Sequence, residues 1–164
     1  MNIKIRQIED KDIRGFYDAL CRVANEGIYL LTHQAPAYEK MQRFVRENIA
    51  NNHSQYVAVL NEQIIGWADI IPLTRETMHH VGHLGMGVTL DFRGQGVGSA
   101  LLEKSIAHAW KQNLKRLELE VFSDNEIAIN LYKKYGFKIE GVKKQARLFK
   151  NKYQDITLMA QCQL

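Results

Sequence analysis

Along Met1-Asn2-Ile3-Lys4-Ile5-Arg6 apolar and polar residues alternate, the two-residue period of a strand over 2–8. After Asp10 the period lengthens. Ile13, Phe16, Tyr17, Leu20, Val23 and Ala24 share one helical face, with Asp10 placed as the N-cap. Asn25 to Gln34 breaks that repeat and predicts a loop or a short turn of helix. Pro36 opens a second helix carrying Tyr38, Met41, Phe44, Val45 and Ile49. Tyr56–Leu60 and Gln63–Ile71, joined at Asn61-Glu62, predict a hairpin, and a polar connection over Pro72–Met78 leads to a strand near His80–Leu90. A helix follows over Val97–Lys111. Leu117, Leu119 and Val121 then alternate with Glu118 and Glu120 as a strand. Ser123-Asp124-Asn125 caps a helix running to about Tyr135, Gly136 ends it, and two strands near 137–148 and 153–161 close the chain.

Strands and helices alternate in the middle of the chain while hairpins sit toward both ends. That mixture predicts an α/β (α+β) sheet with helices on both faces, in one domain over 1–164. The composition, 46% hydrophobic and 24% charged, is that of a folded globular chain and disfavours disorder. No apolar run approaches membrane-spanning length, and the N-terminus lacks the apolar segment of a signal peptide, so a cytoplasmic location is expected. The net charge of +4 is scattered. Its densest spots, Lys143-Lys144 and Lys150–Lys152, read as a solvated face or as a rim for an anionic ligand. No basic stripe interleaves with aromatics, so nucleic acid is not an expected partner. Cys21 falls in an apolar helical pattern and reads as a buried thiol. His79, His80 and His83 have no acidic or cysteine residue close by to complete a ligand set, so no metal is expected.

The chemistry concentrates in Val88-Thr-Leu-Asp-Phe-Arg93-Gly94-Gln95-Gly96-Val97-Gly98-Ser99, a strand entering a glycine-rich turn and then a helix. Glycines at such a turn let the backbone bend tightly and approach a ligand. The helix start aims unpaired N–H groups at the same point, a geometry that binds phosphate, and Arg93 adds a cation. A P-loop would need a lysine before Ser99, and a dinucleotide fold would place its glycines after the first strand. Neither condition holds.

Arg93-Gly94-Gln95-Gly96-Val97-Gly98, preceded by Val88, together with Asn125, Ala128, Leu131-Tyr132 and Gly136-Phe137, resembles the GNAT superfamily of acetyl-CoA-dependent N-acetyltransferases. The first segment looks like that family's pyrophosphate motif and the second like its other cofactor motif, in the right order and separation. The resemblance implies a mixed, mostly antiparallel sheet of about six to seven strands and acetyl-CoA as donor substrate. It implies a donor site built from Met86, Gly87, Val88, Arg93, Gly94, Gln95, Gly96, Val97, Gly98, Ser99, Asn125 and Ala128. In the family the strand before the turn is splayed from its neighbour, so the N–H near Val88 polarises the acetyl carbonyl. Gly85-Met86-Gly87 fits a close ligand approach there or plain strand geometry.

Several residues keep two readings at this level. The resemblance places the Tyr132 hydroxyl at the cofactor sulfur as general acid, while a tyrosine at helical spacing is also ordinary core. Asn125 is an N-cap or a pantetheine contact, roles that can coexist. His83 is either the base that deprotonates the amine or a polar strand residue. Glu26, beside Tyr29, is either an anchor for the acceptor ammonium or an exposed loop residue. The tail, Gly141 to Lys144 and Asn151 to Asp155, is similar to the branch acetylating amino acids and small amines. The function expected is therefore acetyl transfer to the primary amine of a small molecule, an amino acid among the candidates, by direct attack in a ternary complex, and the resemblance makes a homodimer reasonable. Alternatives are acetylation of a protein N-terminus or lysine, and a CoA-binding module without catalysis.

Overall fold

The computed structural model describes residues 2–163. Seven strands form a sheet in the spatial order β1-β2-β3-β4-β5-β7-β6. They are β1 (Lys4–Gln7), β2 (Ser54–Leu60), β3 (Gln63–Pro72), β4 (Val81–Val88), β5 (Arg116–Phe122), β6 (Lys138–Phe149) and β7 (Lys152–Cys162). Neighbours are antiparallel except β4 and β5. Four helices cover it: α1 (Ile13–Asn25), α2 (Tyr38–Ala50), α3 (Val97–Lys111) and α4 (Glu126–Lys134). Both two-residue hairpin turns use left-handed backbone, with φ of 48° and 66° at Asn61-Glu62 and 49° and 58° at Lys150-Asn151.

The period-2 pattern of the strands decides which side chains meet which helices. Val57, Ile64 and Trp67 pack against Ile13, Phe16, Ala19 and Val23 of α1 and Val45 of α2, with Phe16 edge-on to Trp67 at 5.8 Å. Ile70, Leu84, Leu117, Leu119, Val121 and Met159 face the other way, onto Leu102 and Ile106 of α3 and Ile129 and Tyr132 of α4. Helices therefore lie on both faces, as the alternation predicts.

The differences from expectation are local. Asp10 does not cap α1. Asp10–Asp12 is a single 3₁₀ turn, and buried Asp12 organises it, accepting the Glu9 N–H at 2.8 Å and Arg6 Nη1 and Nη2 at 2.5 and 2.8 Å. The second helix begins at Tyr38 rather than at Pro36, because Ala37 is still extended (φ −54°, ψ 144°). Cys21 is half-buried rather than buried. Lys143 and Lys144 pair with Glu120 and Asp155, so their charge is answered within the protein.

Candidate active site

β4 and β5 pair only over Val81–His83 and Arg116–Glu118. Beyond His83 they part, and β5 continues to Phe122 bonded to β7 alone. The Thr89 N–H donates to Ile65 O at 2.9 Å, which sets the odd-numbered residues of β4 toward β3. Leu84, Met86 and Val88 therefore turn their N–H and C=O groups into the gap. Val88 O confirms this orientation by accepting Arg93 Nε at 2.7 Å. The gap is thus lined on one side by backbone able to pair with an extended ligand, as a sheet edge does.

The glycine turn closes the mouth of the gap. Gly94 and Gly96 have φ of +71° and +82°, and an added Cβ at either would meet nothing within 4 Å, so the space above the turn is open. Among the described residues no backbone acceptor takes the N–H of Gly94, Gln95, Gly96, Val97, Gly98 or Ser99. The Gln95 side chain folds back onto Asp91 O at 2.8 Å. Gly98 lies where three elements meet: a Cβ added there would stand 3.5 Å from both Leu131 of α4 and Met86 of β4. Asn125 caps α4, its Oδ1 accepting the Ala128 N–H at 3.2 Å, which leaves its amide N–H₂ free.

Tyr132 is buried at 8% exposure, edge-on to Phe137 at 6.0 Å and packed in the same cluster as Met86 and Leu131. Burial pushes its hydroxyl up to about 12, so the phenol is protonated at any working pH.

The opposite face carries a different set. His83, Gly85 and Gly87 face the same side as Trp67 and Asp69 of β3. Gly85 leaves room for Asp69, whose Oδ1 lies 3.3 Å from where a Cβ would stand, and Gly87 for Trp67, whose ring lies 2.3 Å from that point. The β4 glycines thus seat two β3 side chains, a reason distinct from ligand approach. Gly87→Ala is expected to lower stability by about 3 kcal/mol or more, because a core indole must move. Urea denaturation checks this, and an unchanged midpoint refutes the packing argument.

Asp69 was not legible as a site residue. It is half-buried, and among the described residues it has no cation or hydrogen-bond partner. Its cross-strand neighbour Gln55 accepts Asn48 Nδ2 at 2.9 Å and leaves its own Nε2 without an acceptor. Desolvation pushes the Asp69 carboxyl up to about 7. The signal in the sequence is a single acidic residue inside the apolar run Ile64 to Ile71.

Glu26 and Arg93, expected to act apart on ammonium and phosphate, bind each other. Arg93 Nη1 and Nη2 meet the two Glu26 oxygens at 2.8 and 2.7 Å, and its guanidinium stacks 4.5 Å from the Tyr29 ring centre. Glu26 therefore offers no free carboxylate to an acceptor ammonium. On the far bank Arg147 Nη1 reaches Gly27 O at 3.0 Å. The loop after α1 is thus strapped across the mouth from the end of β4 to β6. His83 is exposed at the closed end of the gap, paired across to Ile71 and Glu118. His79 Nε2 contacts Thr74 O at 3.1 Å, and no group of three or more His, Cys, Asp or Glu side chains among the described residues could hold a metal ion. No helix among them is long and apolar enough to cross a membrane.

A sheet parted at one parallel pair, with a glycine turn and a helix start at its mouth, offers an open backbone edge beside free N–H groups, a cleft suited to an extended phosphorylated ligand. The chain belongs to the acetyltransferase (GNAT) family, whose model matches residues 19–137. It is 34% identical over 163 residues to the L-amino acid N-acetyltransferase AaaT of Escherichia coli (strain K12), covering 96% of each chain. It is 22% identical to the spermidine N(1)-acetyltransferase of Vibrio cholerae, over 96% of this chain and 91% of that one. Among solved structures, an acetyltransferase of the GNAT family from Streptococcus pneumoniae superposes with a TM-score of 0.90 at 30% identity, covering 98% of this chain and 99% of that one. A phosphinothricin acetyltransferase from Sinorhizobium meliloti in complex with acetyl-CoA shares the fold at TM-score 0.91 and 18% identity, over 99% of this chain and 89% of that one. The chain is an acetyl-CoA-dependent N-acetyltransferase.

Proposed function

We propose that this enzyme acetylates the α-amine of free amino acids. The observation that carries a small acceptor is the strapped loop. Glu26–Arg93 on one bank and Gly27–Arg147 on the other tie the loop after α1 to both sides of the gap, which restricts the approach a peptide chain would need. The likeness to an L-amino acid N-acetyltransferase over nearly the whole of both chains supports an amino acid as that acceptor.

The donor's phosphates lie against the free N–H groups of Gly94–Ser99, with Val97 at the helix start, and its arm pairs with the open edge of Leu84–Val88. The Val88 N–H polarises the acetyl carbonyl. The amine, entering from the α1/α2 face, must lose a proton to attack. Asp69 takes it, because a carboxyl near 7 is ionised at working pH yet basic enough to hold the proton. His83, exposed at the closed end, is less well placed. The amine nitrogen attacks the carbonyl carbon, the C–S bond breaks, and the departing thiolate receives the Tyr132 proton.

The comparison of one amino acid with a dipeptide that begins with it tests the restriction by the strapped loop. The free amino acid is expected to have a kcat/KM about 100-fold higher, since a second residue meets the strap. A dipeptide or protein N-terminus turned over equally well refutes the reading.

A further inference from the structure

Arg147 holds the loop through one nitrogen, and the rest of its guanidinium has no part in the mechanism above. It sits on β6 just past an irregularity at which Lys143 to Arg147 oppose only Ile156 to Gln154 of β7, and such a bulge re-aims the residue that follows it. Its guanidinium lies 4.9 Å from the Phe122 ring centre and 4.5 Å from that of Phe149. Leu117, Leu119 and Val121 of β5 face α3 and α4, so Phe122 projects to the opposite face. Arg147 therefore stands on the same face as Asp69, across the gap from it.

Its bonding is one-sided. Nη1 donates to Gly27 O at 3.0 Å and to Gln154 Oε1 at 2.7 Å. Nη2 is buried and among the described residues has no acceptor. Both of its neighbours are neutral, whereas Arg6, Arg93 and Arg116 each meet a carboxylate. The guanidinium is half-buried and its covered Nη2 lacks an acceptor; its Nε–Nη2 edge is the one that grips a carboxylate with two parallel N–H···O bonds. Two aromatic rings fix the plane of that fork, so little freedom is lost when an anion arrives.

We propose that Arg147 is the binding site for the acceptor's α-carboxylate. The inference rests on the amino-acid reading above. It gives the two ends of the substrate separate partners: carboxylate on Arg147 at the β6 bank, amine toward the gap and Asp69. It also couples recognition to the loop, because the guanidinium that holds the carboxylate is the one bonded to Gly27. A substrate without an α-carboxylate leaves the fork empty and is discriminated against.

The test compares a good amino-acid substrate with its neutral α-amide, in wild type, Arg147→Gln and Arg147→Lys. The wild type is expected to prefer the acid. Arg147→Gln, which keeps a donor for Gly27 O, is expected to reduce the acid-to-amide ratio of kcat/KM about 10- to 100-fold, chiefly through the acid's KM. Arg147→Lys restores part of the ratio, since it returns the charge without the fork. Calorimetric binding of the N-acetyl amino acid to the CoA complex is expected to weaken in parallel. If acid and amide fall together in Arg147→Gln, the residue only holds the loop and the proposal fails while the amino-acid reading stands. If the wild type prefers the amide, the amino-acid reading itself fails, and this proposal with it.

Discussion

Tyr132→Phe is expected to lower kcat by about 100-fold or more, while acetyl-CoA affinity changes by less than about three-fold. The ring is retained, so the packing with Phe137, Met86 and Leu131 survives and the only group lost is the hydroxyl. With its pKa pushed up to about 12, that hydroxyl never ionises in an assay and sets no alkaline limb. The elevation also constrains how it acts. A free thiol has a pKa of about 8.5, so complete transfer from such a phenol to a solvated thiolate runs uphill by about 5 kcal/mol. The proton must therefore move as the C–S bond breaks, inside a gap where the thiolate is itself poorly solvated. Steady-state kinetics with a titration of acetyl-CoA binding checks this. An unchanged kcat under chemistry-limited conditions removes Tyr132 from the mechanism.

Asp69→Asn has two effects of opposite sign. Without the proton acceptor, kcat/KM is expected to fall about 100-fold or more at neutral pH. The limb near pH 7 in the wild-type profile, distinct from the higher ionisation of the acceptor amine, disappears. Stability moves the other way. The folded carboxyl titrates at about 7, above the unfolded value of about 3.9. The native state therefore keeps a proton that the unfolded chain has released, and stability declines as pH rises from about 4 to about 7. Asparagine removes that penalty. Because the carboxyl partly reaches solvent, the gain at pH 8 is about 1–3 kcal/mol, below what the whole shift implies. Thermal melts at pH 4 and pH 8 check it: the variant gains at pH 8 and little at pH 4. A loss at pH 8 contradicts the assignment of Asp69 as an uncompensated charge held for function.

The parts of the site that could be read directly are those whose chemistry is local in sequence. The left-handed glycines at 94 and 96, the helix starting at Val97 and the Asn125 cap are each fixed by a few adjacent residues, and each forms as the pattern predicts. Contacts between distant segments were not readable. Glu26 and Arg93 are 67 residues apart, and nothing in either neighbourhood announces that they will neutralise each other. Arg147 lies between Lys143-Lys144 and Lys150–Lys152, spots that read as a solvated face or a rim for an anionic ligand, and nothing local singles it out from them. Its role depends on a strand irregularity and on Gly27, 120 positions away. Asp69 is intermediate: an acidic residue in an apolar strand is a signal, but its meaning depends on Gly85 facing it across β4.

The central claim is acetyl transfer to an amino acid, and it is tested most directly by incubating the purified enzyme with acetyl-CoA and individual amino acids. Free thiol and N-acetyl product are followed together. The expected result is thiol release that depends on the amino acid and matches N-acetyl amino acid mole for mole. Tight acetyl-CoA binding with no amino-acid-dependent release would contradict it.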